Sequence, residues 1–298
     1  MKRSTMTDTT KPLQTLKGVR VLSLCLNLPG PAALMRCRQM GATCVKLEPP
    51  AGDPMGLYQA AAYQVLHDGV RVITADLKSA LGQKVLHSEL AKADVLLTSF
   101  RPSALDKLGL GWKALHRQYP ALSLVAIVGA PGAAAEEPGH DLTYLASNDL
   151  ITGLDLPATL FADMSGSLLA CEAVLQAVLF QRSKGKGIFR EVALSSAAAW
   201  LALPRTWGLT QAGGAVGGGH AGYRVYRCQD GRVAVAALEP HFAAALCAAA
   251  GVPANGMKAM FAPATHTGLA NWFASQTCHA LDNIAAEKDI PLQTLPVN

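Results

Sequence analysis

Short apolar runs alternate with helical segments through the first part of this sequence, and that alternation limits the fold more than any other feature. Val19–Leu24 precedes an Ala- and Leu-rich helix that ends at Gly41, and Thr43–Leu47 follows. The runs Val70–Thr74 and Val95–Ser99 each lead into another helical stretch. Buried strands that alternate with helices form a parallel sheet with helices on both faces. The pattern therefore predicts an α/β fold with a parallel sheet.

A long helix and one more strand complete this region. Asp163 opens a helical stretch to Gln181, Phe189–Leu194 is expected to be a strand, and Ser195–Trp207 a helix. The most apolar segment, Met164–Phe180, is interrupted by polar residues. It falls short of the roughly 20 uninterrupted apolar residues that a membrane span needs. We therefore expect no membrane-spanning segment.

The pattern changes near residue 205, where a second domain is expected. Gln211–Gly222 is rich in glycine and predicts either a flexible linker or an active-site flap. Tyr223–Arg227 and Val233–Ala237 are expected to be strands joined by a hairpin turn at Asp230-Gly231. Alanine-rich helices follow. The predicted domains are a large sheet domain, residues 1–205, and a small α+β domain, residues 206–298.

Composition excludes several classes of function. The 298 residues carry a formal net charge of only +5, and the basic residues are scattered, so no nucleic-acid partner is expected. Seven cysteines without a Cys-x-x-Cys pair argue against a disulfide scaffold or a zinc ribbon and favour the reducing cytoplasm. Met1–Pro12 is polar and lacks the apolar core of a signal peptide. No histidine pattern indicates a metal site.

Three polar residues at the ends of predicted elements are candidates for chemistry. Asp163 is either a helix N-cap or a carboxylate placed beside free backbone N–H groups. Glu239 follows a strand and either begins a helix or acts in catalysis. Arg101 ends a strand where ligands of parallel sheets usually bind, and suits a phosphate unless it is a solvated loop residue. The Gly-x-Gly-x-x-Gly fingerprint is absent, which argues against an NAD enzyme. The Walker-type motif is also absent, which argues against a P-loop.

Several segments together resemble the family III CoA-transferases, the CaiB/BaiF group. The residues of these segments and their order along the chain agree with the family over most of residues 16–240. The segments are Leu16–Leu22, Gly30-Pro31, Gly41–Pro50, Asp76–Lys78, Ala93–Leu96, Phe100–Pro102 and Leu108–Gly111. The resemblance implies a Rossmann-like large domain and a smaller domain. It also implies an enzyme that handles acyl-CoA thioesters, forms a homodimer, and needs no metal or redox cofactor.

Two chemistries share this scaffold, and the resemblance places their residues at three positions. Gly139–Ala146 resembles the histidine motif of the α-methylacyl-CoA racemases, which makes His140 one acid/base group. Asp163 matches the aspartate that serves as the second acid/base group in racemases and as the nucleophile in transferases. Glu239, in a segment similar to the racemase glutamate motif, is expected to orient His140. Racemisation of a 2-methylacyl-CoA is the first interpretation, and CoA transfer is the alternative.

The racemase interpretation sets physical requirements. Removal of an α-proton beside a thioester needs a base and a stabilised enolate. N–H groups at Asp163–Met164 are expected to bind that enolate, and burial must raise the pKa of Asp163 toward neutrality. Histidine exchanges protons close to neutral pH without such help.

The remaining predicted site residues contact the substrate. Asp141 and Tyr144 are expected to build the pocket, while Arg101 and the segment Ala75, Asp76, Leu77 and Lys78 meet the nucleotide end of CoA. Arg71 belongs to a region that faces CoA in relatives, although this chain has one basic residue fewer there.

The end of the chain supports a third interpretation. Family members commonly continue for several dozen residues beyond the point that matches Asn298, and return to the large domain. The small domain is therefore expected to lack this return segment, and a catalytically degenerate CoA-binding paralogue is the third alternative.

Overall fold

A computed structural model describes residues 13–253 and 256–297 of the protein. The chain divides into two compact units, with the boundary between Ala202 and Leu203. The sequence had placed this boundary between residues 205 and 206. All seven cysteines are buried and free.

The first unit contains a six-stranded sheet in which every neighbouring pair is parallel. The spatial order is β3-β2-β1-β4-β5-β6. The strands are β1 (Arg20–Ser23), β2 (Thr43–Glu48), β3 (Arg71–Thr74), β4 (Val95–Thr98), β5 (Ser123–Val128) and β6 (Phe189–Ala193). Every residue of β4 and β5 is buried, as expected for central strands of a parallel sheet. The predicted α/β fold is confirmed.

Helices cover both faces of this sheet. They are α1 (Pro29–Gln39), α2 (Met55–Tyr58), α3 (Ala60–Leu66), α4 (Ala80–Leu90), α5 (Pro102–Lys107), α6 (Trp112–Gln118), α7 (Asp141–Ala146), α8 (Phe161–Lys184) and α9 (Leu194–Leu201). Alternate residues of β1 enter two cores, because successive side chains of a strand point to opposite faces. Val21 packs with α1 and α8, and Leu22 packs with α4, α5 and α6.

The long helix α8 is the one described helix that is long and apolar enough to cross a membrane, with a mean hydropathy of 1.3. Its buried side chains, among them Ala170, Val174 and Ala177, belong to the core of the first unit. A helix in the core of a protein can be equally long and apolar, so length and composition alone do not make α8 a membrane span.

The second unit contains an antiparallel sheet in the order β7-β8-β9. Its strands are β7 (Tyr223–Cys228), β8 (Gly231–Ala236) and β9 (Leu292–Pro296), and its helices are α10 (Leu203–Thr206), α11 (Pro240–Ala250), α12 (Pro263–Ala274) and α13 (Cys278–Lys288). The predicted hairpin is confirmed, but its turn is Gln229-Asp230, one residue earlier than predicted, because Gly231 already belongs to β8. The predicted helix Ser195–Trp207 is instead two helices, α9 and α10, separated at Ala202.

The glycine-rich segment before β7 folds back on itself closely. A Cβ atom on Gly214, Gly217 or Gly219 would overlap a backbone carbonyl of the preceding residues 208–213. The segment includes a short 3-10 helix, Ala215–Gly217. Close backbone contacts therefore require glycine at these three positions, while Gly213 and Gly218 adopt a positive φ.

Candidate active site

A cavity of about 650 Å³ lies in the first unit where four parallel strands end. It is lined by residues of the segments that follow β1, β4, β5 and β6, including Asn27, Arg101, Gly129 and Leu194. The sheet order reverses direction between β1 and β4. In open α/β sheets, ligands bind outside the carboxyl ends of the strands at such a reversal. The cavity is therefore the candidate active site.

Asp163 lies in the first turn of α8 and lines this cavity. Its side chain is half-buried, and burial is the main reason that its pKa rises from 3.8 to about 6. The carboxylate of Asp141 raises the pKa further, while His140 lowers it. The requirement that burial shift this pKa toward neutrality is confirmed.

Asp163 does not cap its own helix, because α8 begins earlier than the sequence suggested. Leu160 is the N-cap residue, and Asp163 is the third residue of the helix. The Asp163 N–H donates to Asp141 Oδ1 at 2.9 Å, and the Met164 N–H donates to the Leu160 carbonyl at 3.0 Å. The expectation that these two N–H groups bind an enolate is therefore wrong, since both are already engaged. Donors for an enolate oxygen have to come from other groups on the cavity wall.

His140 lines the same cavity from the N-cap position of α7. Its backbone N–H donates to Thr143 Oγ1 at 3.0 Å, and that hydroxyl donates to the His140 carbonyl at 2.7 Å. These bonds hold the backbone while the side chain remains exposed. Because His140 affects the pKa of Asp163, the two side chains interact electrostatically.

Tyr144 forms the buried wall beside these groups. A Cβ on Gly129 or Gly139 would overlap its ring, so both glycines allow the phenol to lie against the backbone. Burial is the main reason that the pKa of Tyr144 is raised. Asp163 raises it further and Arg101 lowers it. Tyr144 therefore lies within electrostatic range of both charged groups.

A buried ionic network behind the cavity is the feature that sequence reasoning missed. Lys46 is fully buried in β2, and its ammonium contacts Asp53, Glu48 at 2.9 Å and His67 Nε2 at 2.8 Å. Tyr63 Oη donates to Glu48 Oε1 at 2.8 Å. Charged side chains inside an otherwise buried strand were the available signal, because such groups are buried only when paired.

The network reaches the cavity through Asp53. Its carboxylate accepts hydrogen bonds from the backbone N–H groups of Asn27, at 3.1 and 3.2 Å, and of Met55, at 2.9 Å. Tyr58 Oη donates to Asn27 Oδ1 at 3.3 Å. Asn27, Met55 and Tyr58 all line the cavity, and none of them was predicted.

Comparison with known proteins identifies the family. A family model described as CoA-transferase family III matches residues 16–296, which includes residues of both units. The chain belongs to this family.

Other members differ in the reaction that their names state. The alpha-methylacyl-CoA racemase of Homo sapiens is 31% identical over 247 residues, which cover 76% of this chain and 62% of the relative. The cinnamoyl-CoA:phenyllactate CoA-transferase of Clostridium sporogenes is 34% identical over 149 residues, 46% of this chain and 36% of the relative. This family III chain thus spans less than two thirds of either relative.

A solved structure shares the fold. The crystal structure of a hypothetical protein from Mycobacterium tuberculosis superposes with a TM-score of 0.83 at 23% identity. The match covers 96% of this chain and 86% of that protein. The α/β architecture described above is therefore shared with that protein.

The residues predicted to meet CoA in this family III chain separate into two groups. Ala75–Lys78 follow β3 and line a second cavity of about 170 Å³, which shares Leu26 and Phe100 with the first cavity. Arg101 lines the first cavity. Both sets therefore lie at the carboxyl edge of the sheet.

The structure places Arg71 away from the other residues predicted to contact CoA. It is the first residue of β3, at the amino edge of the sheet, and its guanidinium pairs with Glu89 at 2.6 Å. Glu89 is buried and is also within 3.8 Å of Arg20, the first residue of β1. Because parallel strands place their amino ends together, Arg71 lies away from the cavities and belongs to a structural ion pair.

Glu239 lies in the second unit, where it is exposed at the N-cap of α11. Its side chain forms no capping hydrogen bond. Its expected action on His140 stays a prediction.

Among the residues that the structure describes, two groups of side chains offer metal-ligand atoms within 4.8 Å of one another. Glu48, Asp53 and His67 surround the Lys46 ammonium, which already occupies the centre of that group. Cys228, Asp230 and Cys278 lie in the second unit, where burial is the main reason that the pKa of Cys278 rises to about 12. A metal would have to displace the Cys278 proton against that shift.

Proposed function

We propose that this chain is an enzyme that epimerises a 2-methylacyl-CoA by moving the α-proton of the thioester. The observation that carries the proposal is that the Asp163 carboxyl and the His140 imidazole line one cavity and interact. The pKa of about 6 for Asp163 adds support, because general acid/base groups work best with a pKa near the operating pH.

The proposed reaction needs two proton transfers. One of the two groups takes the α-proton as the C–H bond breaks, and the electron pair passes into the thioester carbonyl to form an enolate. The other group, protonated, returns a proton to the opposite face of the same carbon. At pH 7.5 a carboxyl with a pKa of about 6 is mostly ionised, so Asp163 is ready to act as the base.

The substrate, the cofactor requirement and the compartment of the proposed reaction follow from the same proposal. The CoA thioester is the substrate, and its nucleotide end contacts Arg101 and Ala75–Lys78. These two proton transfers require neither a metal nor a redox cofactor. We place the reaction in the cytoplasm, where acyl-CoA is available, with no nucleic-acid or membrane partner.

Deuterium exchange tests the proposal. In D₂O without any acceptor acid, the protein is expected to replace the α-proton of 2-methylpentanoyl-CoA by deuterium, measured by mass spectrometry. Asp163→Asn and His140→Gln are each expected to lower the exchange rate at least about 100-fold. The exposed residues Asp155 and His279 supply matched controls, Asp155→Asn and His279→Gln, which retain exchange. Full exchange in both active-site variants would refute the proposal.

CoA transfer is the second candidate, favoured by the transferases among the relatives. In this reaction the Asp163 carboxylate attacks the thioester carbonyl, CoA leaves as the thiolate, and a mixed anhydride forms. The CoA thiolate then attacks the aspartyl carbonyl of the anhydride, which releases the donor acid and leaves an Asp163–CoA thioester. The acceptor acid attacks this thioester and CoA leaves again as the thiolate. The thiolate attacks the acceptor carbonyl of the second anhydride, which forms the new acyl-CoA and frees Asp163. The expected signature is an acyl-enzyme that hydroxylamine traps in the wild type and not in Asp163→Asn, without α-proton exchange. CoA binding with neither signature would identify a protein without turnover.

A further inference from the structure

Asn27 and Tyr58 form a polar pair on the wall of the candidate active-site cavity. Tyr58 Oη donates to Asn27 Oδ1 at 3.3 Å, and both side chains are exposed to the cavity. Their neighbours on the wall include Leu28, Met55 and Leu160. Neither the proton transfers nor the CoA contacts proposed above use this pair.

The buried network holds Asn27 in an unusual conformation. Its φ of 63° lies in the left-handed region, which is uncommon for residues with a side chain, although asparagine adopts it more readily than most. Both Asp53 carboxylate oxygens accept the Asn27 backbone N–H, and Asp53 in turn contacts the buried Lys46 ammonium. The side-chain amide is therefore presented from a rigid base.

The pair offers hydrogen bonds that the protein itself does not use. Within residues 13–253 and 256–297, the Asn27 amide nitrogen has no hydrogen-bond partner. The Tyr58 hydroxyl, which donates its proton to Asn27, keeps its oxygen as an acceptor. Together they present a donor and an acceptor a short distance apart, as a hydroxyl group of a ligand requires.

The surrounding charge selects against an anion. Burial is the main reason that the pKa of Tyr58 is raised, and the carboxylates of Asp53 and Asp163 raise it further. The phenol is therefore neutral at physiological pH, and two negative groups act on its position. Asp53 is paired with Lys46 and Arg101 lines the same cavity, so it is Asp163 that would repel a ligand carboxylate placed next to Tyr58. The effect of Asp163 also places Tyr58 near the proposed reacting group.

We propose that Asn27 and Tyr58 recognise an uncharged oxygen on the acyl group, so that the preferred substrate is a hydroxyacyl thioester rather than an alkyl or dicarboxylic one. This inference rests on the proposed function in taking the cavity as the acyl site.

A matched series of thioesters tests the preference. We would compare 2-methylpentanoyl-CoA, 4-hydroxy-2-methylpentanoyl-CoA and 2-methylglutaryl-CoA, which differ in the polar group at the far end of the acyl chain. Dissociation constants are measured by calorimetry and kcat/KM by α-proton exchange. The hydroxylated thioester is expected to bind about tenfold more tightly than the alkyl one, the size of one or two neutral hydrogen bonds. The carboxylate is expected to bind most weakly.

Two variants assign the preference to the pair. Asn27→Gly removes the amide and, because glycine adopts a positive φ without cost, is expected to fold. Tyr58→Phe removes only the hydroxyl. In each, the ratio of hydroxyl to alkyl dissociation constants is expected to move toward one. The controls Asn283→Ala and Tyr223→Phe, at positions in the second unit, keep the wild-type ratio.

The outcomes separate this inference from the proposed function. A wild-type preference for the alkyl thioester, or a ratio that both variants leave intact, would overturn the inference even if exchange proceeds. Binding with the expected ratio, but neither exchange nor transfer, would overturn the proposed reaction and leave the polar pair as the acyl-recognition element.

Discussion

Asp163 is held in an environment that opposes its ionisation. Its carboxyl is half-buried, and the buried carboxylate of Asp141 lies close enough to bind its backbone N–H. Both effects disfavour the charged form, so the carboxyl retains its proton to a higher pH than an exposed aspartate. The property that suits Asp163 to proton transfer is therefore expected to cost the folded state stability.

Substituting Asp163 by asparagine is expected to stabilise the protein in a pH-dependent way. The folded-state pKa of about 6 exceeds the ordinary value of 3.8, so the folded state binds more protons between these values. Stability therefore falls as pH rises from about 4 to about 6. At pH 8 Asp163→Asn is expected to unfold with about 1–2 kcal/mol more free energy than the wild type, after allowance for solvent screening. Urea titrations at pH 8 and pH 3.5 measure this.

The gain is expected to be nearly absent at pH 3.5, where the wild-type carboxyl is mostly protonated in both states. Asp155→Asn, at an exposed loop position, supplies the control and is expected to show no gain at either pH. An equal gain at both pH values would contradict the assignment of the effect to ionisation.

Lys46, unlike Asp163, is expected to stabilise the folded state, because nearby carboxylates compensate its buried charge. Lys46→Met leaves the carboxylates of Glu48 and Asp53 without their shared cation. Removing one partner of a buried ion pair typically costs about 3–5 kcal/mol. We expect a loss of that size in urea denaturation, with Lys78→Met, at an exposed position, as a near-neutral control. A loss below about 1 kcal/mol would show that the network contributes little to stability.

At the scale of elements, the start of α8 depends on α7. Asp141 begins α7 and accepts the hydrogen bond from an N–H in the first turn of α8, 22 residues away. An acidic acceptor at a helix N-terminus also interacts favourably with the helix dipole. The same carboxylate that supports this helix therefore raises the pKa of Asp163.

Asp141→Asn separates these two effects. The asparagine side-chain oxygen still accepts the Asp163 N–H, but the negative charge is gone. The pKa of Asp163 is expected to fall below 6 without reaching its ordinary value, because burial, the larger cause, remains. Carboxyl-carbon NMR titration measures this pKa, and the acid limb of the exchange rate should move to lower pH with it. An unchanged or higher pKa would contradict the proposed repulsion.

The strands of the large unit were predictable within about a residue, whereas one strand of the small unit was not. The run predicted at Val95–Ser99 corresponds to β4, because a short continuous apolar run is typical of a strand buried on both faces. β9 contains Gln293 and Thr294 and ends at a proline, so its pattern is weak. It becomes a strand by pairing with β8, more than 50 residues earlier.

At the scale of the whole molecule, large apolar side chains remain exposed on the first unit. Those exposed by more than half are Leu57, Tyr58, Val65, Leu81, Leu154, Leu156, Leu168, Leu179 and Trp200, together with Leu13 near the start of the described chain. Such surface often marks an interface with another protein. We propose that two copies of the chain associate, as the family resemblance implies.

Light scattering after gel filtration tests the association. The expected mass is twice the 31.2 kDa of the chain. Leu179→Glu on α8 and Leu81→Glu on α4 each place a charge at one of these exposed leucines, and at least one of the two is expected to weaken the dimer. A single-chain mass for the wild type at micromolar concentration would contradict the proposal.

The sequence by itself determined the element types, the parallel sheet, the hairpin and the family, because each depends on local periodicity or on contiguous motifs. Only the tertiary structure decided which distant residues meet. It joined Asp141 to the start of α8, linked Lys46 through Asp53 to Asn27, and removed Arg71 from the site. Spacing along the chain does not encode such contacts, because strand order and helix packing decide which residues share an edge of the sheet. The same packing supplied the burial that raises the pKa of Asp163.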